Sequence, residues 1–124
     1  MKTNVLIIED NEQNMYMLSY LLKGENYNVI QAYSGTSGIE SAKECKPDII
    51  LLDIQLPEMD GYMVASKLRE IKDLKLTPII VVTSYAMPGD REKAIESGAT
   101  GYIEKPINPD TFITQMKSFL PKNL

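Results

Sequence analysis

Short apolar runs punctuate the chain, and between them apolar positions recur at helical spacing. Val5-Leu6-Ile7-Ile8, Ile49-Ile50-Leu51-Leu52 and Ile79-Ile80-Val81-Val82 are unbroken, as expected of parallel strands covered on both faces. They predict strands near 4–8, 49–53 and 79–83, and weaker runs add strands near 28–33 and 101–104. From Glu12 to Lys23, Met15, Leu18, Leu21 and Leu22 fall on one helical face. A second helix near 35–45 turns Ile39 and Ala42 inward, and a third near 61–72 uses Val64, Leu68 and Ile71. A fourth runs near 88–97, starting around Pro88 and stopping at Gly98. The last has Asn108 as cap, Pro109 in its first position and Pro121 beyond its end, with Phe112, Ile113, Met116, Phe119 and Leu120 on its apolar face. This is a (βα)5 pattern. Right-handed crossovers make it an α/β, doubly wound, five-stranded parallel sheet. The ligand site of such a sheet lies beyond the carboxyl ends of its strands.

The polar residues at those ends carry the chemistry. The first strand stops at Glu9-Asp10, the third at Asp53, the fourth at Thr83, and the fifth runs into Glu104-Lys105-Pro106. Converging carboxylates repel one another unless a cation relieves them. Mg²⁺ takes oxygen ligands, one or two of them carboxylates, and Glu9, Asp10 and Asp53 can supply these. A carboxylate can also act as a nucleophile and form an acyl phosphate. The three phosphoryl oxygens then need a cation, an ammonium and a hydrogen-bond donor, for which Mg²⁺, Lys105 and Thr83 are the candidates. Asp48 begins the strand that Asp53 ends, so roughly 17 Å should separate them, and Asp48 takes a turn role. Asp60 is expected to cap the third helix, and Glu58 to be solvated.

Composition removes other chemistries. Hydrophobic residues make up 44% of 124 positions, enough for one packed domain, 1–124. No apolar run approaches the roughly 20 residues that span a bilayer, so membrane insertion is not expected. A lone Cys45 and the lack of a signal-peptide pattern fit a reducing, cytoplasmic setting. A net charge of −4 without a basic cluster argues against direct nucleic-acid binding. The chain has no histidine, which excludes imidazole bases, Ser-His-Asp triads and His-ligated zinc.

On these residues the chain resembles the receiver domains of two-component response regulators, the CheY-like family. The resemblance runs from Glu9-Asp10 through Leu52-Asp53-Ile54-Gln55-Leu56-Pro57, Met59-Asp60-Gly61, Thr83-Ser84 and Gly98-Ala99 to Lys105-Pro106. Ile54-Gln55-Leu56-Pro57, Ala86-Met87 and Gly89-Asp90 are similar to the DivK-like single-domain regulators. The resemblance implies a flavodoxin-like strand order 2-1-3-4-5. It implies phosphorylation of Asp53 by a histidine kinase or histidine phosphotransfer protein, and Mg²⁺ held by Asp10, Asp53 and the Gln55 backbone carbonyl, with Glu9 acting through water. Thr83 and Lys105 would hold phosphoryl oxygens, a cis Lys105-Pro106 bond would aim Lys105, and Tyr102 would be the switch aromatic, its ring changing side as Thr83 moves. For packing alone, Tyr102 would be a half-exposed strand residue.

The implied readout is a protein contact through the fourth helix, fifth strand and fifth helix, or onward relay of phosphate, since no output domain follows within these residues. The implied protein assists its own phosphorylation and dephosphorylation but is not a turnover enzyme. Ser84, Tyr85 and Gln55 match positions that tune access of water to the acyl phosphate, and a bulky Tyr85 would lengthen its lifetime.

Three alternatives are weaker. A magnesium-dependent phosphatase with an aspartyl nucleophile would carry an acid two residues after Asp53, where Gln55 stands. An FMN-binding flavodoxin-like carrier would need a Ser/Thr/Gly-rich phosphate loop in place of Glu9-Asp10-Asn11-Glu12. An unphosphorylated pseudo-receiver serving only as an interaction module would not need the full set of Glu9, Asp10, Asp53, Thr83 and Lys105.

Overall fold

The three unbroken apolar runs form the centre of a five-stranded parallel sheet. A computed structural model of the chain describes residues 2–84, 88–122 and 124. The strands are β1 (Asn4–Ile8), β2 (Asn28–Ala32), β3 (Ile49–Leu52), β4 (Ile79–Thr83) and β5 (Gly101–Glu104), in the order β2-β1-β3-β4-β5. All four pairings are parallel, as the right-handed βαβ reading requires.

The strand pleat divides the core in two. Val5, Ile7, Ile49, Leu51, Ile80, Val82 and Ile103 face one side, under α1 (Glu12–Gly24) and α5 (Phe112–Lys117), which contribute Met15, Leu18, Leu22, Phe112 and Met116. Leu6, Ile8, Ile50, Leu52 and Ile79 face the other side with residues of α2 (Gly35–Cys45) and α3 (Gly61–Arg69). Val81 and Tyr102 complete that second side beneath Ala94 of α4 (Asp90–Ser97).

Three helices differ from the periodicity at their ends. α3 stops at Arg69, and Lys72–Leu74 form a separate 3₁₀ turn. α4 begins at Asp90, because Gly89 before it adopts φ 91°. α5 begins at Phe112 rather than at Pro109. The Asn108 side chain accepts from the Asp110 N–H at 2.9 Å, and its carbonyl accepts from the Thr111 and Phe112 amides at 3.1 and 2.9 Å. A turn therefore precedes the regular helix. Asp60 caps α3 as expected, accepting from the Tyr62 N–H at 2.8 Å. Glu58 is exposed but not simply solvated, because its Oε1 accepts from the Gly35 N–H at the start of α2, 2.8 Å away.

The amino-terminal edge of the sheet is fastened by two side chains. Asp48 accepts from the Asn4 N–H at 2.8 Å, joining β1 to the start of β3. The Arg69 guanidinium donates to the carbonyls of Leu74 (2.8 Å), Thr77 (2.7 Å) and Gly98 (2.8 Å) and to Thr100 Oγ1 (3.2 Å). One side chain thus ties the end of α3 to the entry of β4 and to the α4–β5 turn. Arg69→Ala strands several acceptors at once, and urea unfolding should show a loss of about 2–4 kcal/mol.

Candidate functional site: an acidic cleft at the carboxyl edge

The backbone ladder carries the key residues one position past the strands. The Glu9 amide donates to the Ala32 carbonyl (3.0 Å), that of Asp53 to Ile8 (3.0 Å) and that of Lys105 to Thr83 (2.8 Å). Their side chains therefore stand on the sheet rather than on loops. Alternation fixes the direction. Glu9 follows Val5 and Ile7, Asp53 follows Ile49 and Leu51, and Lys105 follows Ile103, so all three continue the α1/α5 face. Ile8 is in register with Leu52, which sets Glu9 and Asp53 side by side.

Glu9 and Asp53 are buried, with 1% and 6% of their surfaces exposed. The Lys105 ammonium bridges them, 2.5 Å from Glu9 Oε1 and 3.3 Å from Asp53 Oδ2. Each acid's other oxygen accepts a backbone N–H: Glu9 Oε2 from Asn11 at 3.2 Å and Asp53 Oδ1 from Gln55 at 3.0 Å. The Lys105–Pro106 peptide is cis.

Carboxylate oxygens of Glu9, Asp10 and Asp53 lie within 4.8 Å of one another, with Asp10 exposed. Two buried acids and one accessible acid at that spacing suit a small, hard divalent cation that retains water ligands. The surrounding cleft, about 510 Å³ in volume, is also lined by Asn11, Glu12, Asn14, Gln55, Ser84 and Lys105. Its polar walls fit an anion–metal pair better than an apolar ligand.

The first turn of α1 is a part of the wall that strand-end reasoning did not reach. Asn11 caps the helix, accepting from the Asn14 N–H at 2.9 Å, and this turn brings Glu12 and Asn14 to the cleft. An Asn directly before the helical pattern was the available signal. Ser84 Oγ also donates to Gln55 Oε1 at 3.3 Å, joining the ends of β3 and β4 across the rim.

Thr83 and Tyr102 are placed differently. Thr83 is fully buried, and alternation puts it with Val81 on the α3/α4 face. Ser84, the residue just past β4, reaches the cleft. Tyr102 is buried rather than half-exposed, packed with Ile54, Val81, Ala94 and Ala99, and the Arg91 guanidinium lies 5.6 Å from its ring centroid. Tyr85 lies outside the described residues, as do Ala86 and Met87.

Gly61 closes the loop that follows Asp53. Its N–H donates to the Ile54 carbonyl at 3.0 Å, and a Cβ there would meet the Ile54 backbone and come 2.7 Å from the Asp53 carbonyl oxygen. No larger residue fits without displacing the loop that holds Asp53.

The chain belongs to the response regulator receiver domain family, which matches residues 5–117. Its class is therefore that of a two-component signalling module, of the CheY-like and DivK-like kind. The polar-differentiation response regulator DivK of Brucella abortus is 42% identical over 120 residues, 97% of this chain and 98% of that protein. The chemotaxis protein CheY4 of Vibrio cholerae superposes with a TM-score of 0.92 at 28% identity, over 97% of this chain and 100% of that one. The receiver domain of the Pseudomonas aeruginosa PAO1 sensor histidine kinase PA1611, solved with a magnesium ion coordinated in its active-site cleft, superposes with a TM-score of 0.87 at 28% identity, over 96% and 98% of the two chains.

Burial raises the pKa of Glu9 from 4.5 to about 7; the Lys105 ammonium opposes this only in part, and the Asp53 charge adds to it. A raised carboxyl pKa means that ionising Glu9 costs the folded state more than the unfolded one. In metal-free buffer, the stability difference between Glu9→Gln and the wild type should shift in the variant's favour from about pH 4.5 to about pH 7. It should then level off. A difference that stays flat across this range in urea unfolding would show that the Lys105 pair outweighs the burial.

Proposed function

We propose that this protein is a response regulator whose phosphoacceptor is Asp53, charged by a histidine kinase or a histidine phosphotransfer protein. The observation that carries the reading is the buried Asp53 carboxylate held between the Lys105 ammonium and the Gln55 amide, beside Glu9 and Asp10. In the transfer, a carboxylate oxygen of Asp53 bonds to phosphorus as the histidine N–P bond breaks, and the bonding pair leaves with the imidazole. Lys105 and the Gln55 N–H fix the carboxylate for in-line attack. Glu9, Asp10, Asp53 and the Gln55 backbone carbonyl are the residues that would hold Mg²⁺, which when bound neutralises phosphoryl oxygens. Lys105 then passes from carboxylate to phosphoryl oxygen, a short move for a flexible ammonium.

Thr83 and Tyr102 act on the opposite face in this reading. Thr83 supplies a further hydrogen bond to the phosphoryl group, and drawing it toward Asp53 changes the packing beside Tyr102. That change reaches α4, β5 and α5, the surface assigned to the downstream protein or relay partner. Ser84 and Gln55, joined at the rim, and Tyr85 govern access of water to the acyl phosphate. Residues 1–124 act as one receiver unit in the cytoplasm; no helix among the described residues is long and apolar enough to cross a membrane. The protein promotes its own phosphorylation and dephosphorylation without turning over an outside substrate. Gln55 offers no acid two residues beyond Asp53 to protonate a leaving group.

Incubation with a small acyl-phosphate donor and Mg²⁺ should add one phosphoryl group by intact mass. Asp53→Asn should abolish the gain and chelation of the metal should suppress it at least about tenfold. A wild-type protein that gains no mass would sink the assignment.

A further inference from the structure

α4 is held lightly by its core contacts. Of its eight residues, Ala94 is the buried one, whereas α1 and α3 each bury four. Its position therefore depends on polar contacts at its ends. The carboxyl end is fastened by Arg69, whose Nε donates to the Gly98 carbonyl at 2.8 Å. Gly98 itself adopts φ 116°, a conformation that suits a pivot.

The amino end meets α3 at Tyr62. The Tyr62 hydroxyl donates to Asp90 Oδ1 at 3.3 Å, and the Lys93 ammonium lies 4.6 Å from the centre of the same ring. Tyr62 is in turn rigidly joined to the phosphoacceptor loop. Its N–H is held by Asp60 at 2.8 Å, and the preceding Gly61 N–H by the Ile54 carbonyl at 3.0 Å. Burial and the Asp90 carboxylate push the Tyr62 hydroxyl up to about 12, so it remains a donor across the physiological range. A cavity of about 260 Å³ beside this contact shares Gln55 with the acidic cleft.

We propose that Tyr62 is a positioning residue, a latch that holds the first turn of α4 against the phosphoacceptor loop and yields when Asp53 gains a phosphoryl group. Phosphorylation replaces the Asp53 carboxylate, of charge −1, with a bulkier group of about −1.5 to −2, so the cleft on one side of Gln55 becomes more negative, while the Asp90 carboxylate lies on the other. Repulsion of Asp90 opposes the Tyr62 contact, and α4, pinned by Arg69, swings from its amino end. A contact made only in the resting arrangement biases the equilibrium against the phosphorylated one. The release half of this inference rests on phosphorylation of Asp53; the latch half does not.

Hydrogen exchange on full-length Tyr62→Phe separates the two halves. This variant keeps the ring and its Lys93 contact and removes the hydroxyl donor. In the unphosphorylated protein, amides of the first α4 turn should exchange about tenfold faster. The Lys93 N–H is among them, donating to the Gly89 carbonyl at 3.0 Å. Amides of α1 and β1 should be unchanged. With a small acyl-phosphate donor and Mg²⁺, modification of Asp53 should be several-fold faster than in the wild type. Asp90→Asn keeps an acceptor for the hydroxyl but removes the charge, so phosphorylation should no longer accelerate α4 exchange. Unchanged α4 exchange in Tyr62→Phe, or acceleration spread evenly over all elements, overturns the latch. If neither protein is modified at Asp53, the phosphoacceptor assignment fails, and the exchange comparison still decides whether the latch exists.

Discussion

Two carboxylates are buried next to each other at the end of this sheet, and the arrangement depends on what neutralises them. Removing a charge from water costs several kcal/mol unless a partner and hydrogen bonds compensate. Lys105 reaches both Glu9 and Asp53, and backbone amides of Asn11 and Gln55 take their remaining oxygens. Among the described residues, no buried side-chain nitrogen or oxygen is left without a hydrogen-bond partner. The compensation is nonetheless incomplete, as the raised pKa of Glu9 shows. A site with three acid groups and one ammonium retains excess negative charge, and that excess is what a divalent cation would relieve.

The precision of the site comes from the sheet. Glu9, Asp53 and Lys105 each follow a strand by one residue, and each has its backbone N–H in the ladder. Their separation is therefore set by strand spacing and register rather than by loop conformation. The loop after Asp53 is as tightly defined, because Gly61 packs directly on the Ile54 backbone. At the opposite edge Arg69 and Asp48 fasten the strand entries.

Strand ends and acid chemistry were legible because parallel core strands are solidly apolar, so a polar residue that stops one is conspicuous. Asp53 after Ile49–Leu52 and Glu9 after Asn4–Ile8 are of this kind. Helix ends were less legible. The turn at Asn108–Thr111 satisfies the same backbone groups that a helix starting at Pro109 would, and the choice between them lies in tertiary packing. Glu58 was unreadable for another reason, since its partner is the Gly35 amide, 23 positions away. The wall contributed by Glu12 and Asn14 depends on the angle at which α1 leaves β1, which no local pattern encodes. The burial of Tyr102 likewise depends on Ala94 and Ala99, small residues that leave room for its ring.

Alternation along β4 has a consequence for any switch built on this site. Thr83 and Ser84 are adjacent in sequence, but the pleat sends the first to the α3/α4 face and the second to the acidic cleft. The acidic cleft thus lies on the α1/α5 side of the sheet edge, while Tyr102, Arg91 and Tyr62 lie on the other side. A change at Asp53 can reach α4 around the edge formed by the ends of β3 and β4. Among the described residues that edge includes the Gln55–Ser84 hydrogen bond and the Ile54 backbone on which Gly61 rests. Gln55 belongs to both clefts and Ile54 packs in the cluster of Tyr102 and Ala94, so these two residues join the surroundings of the carboxylates to those of α4.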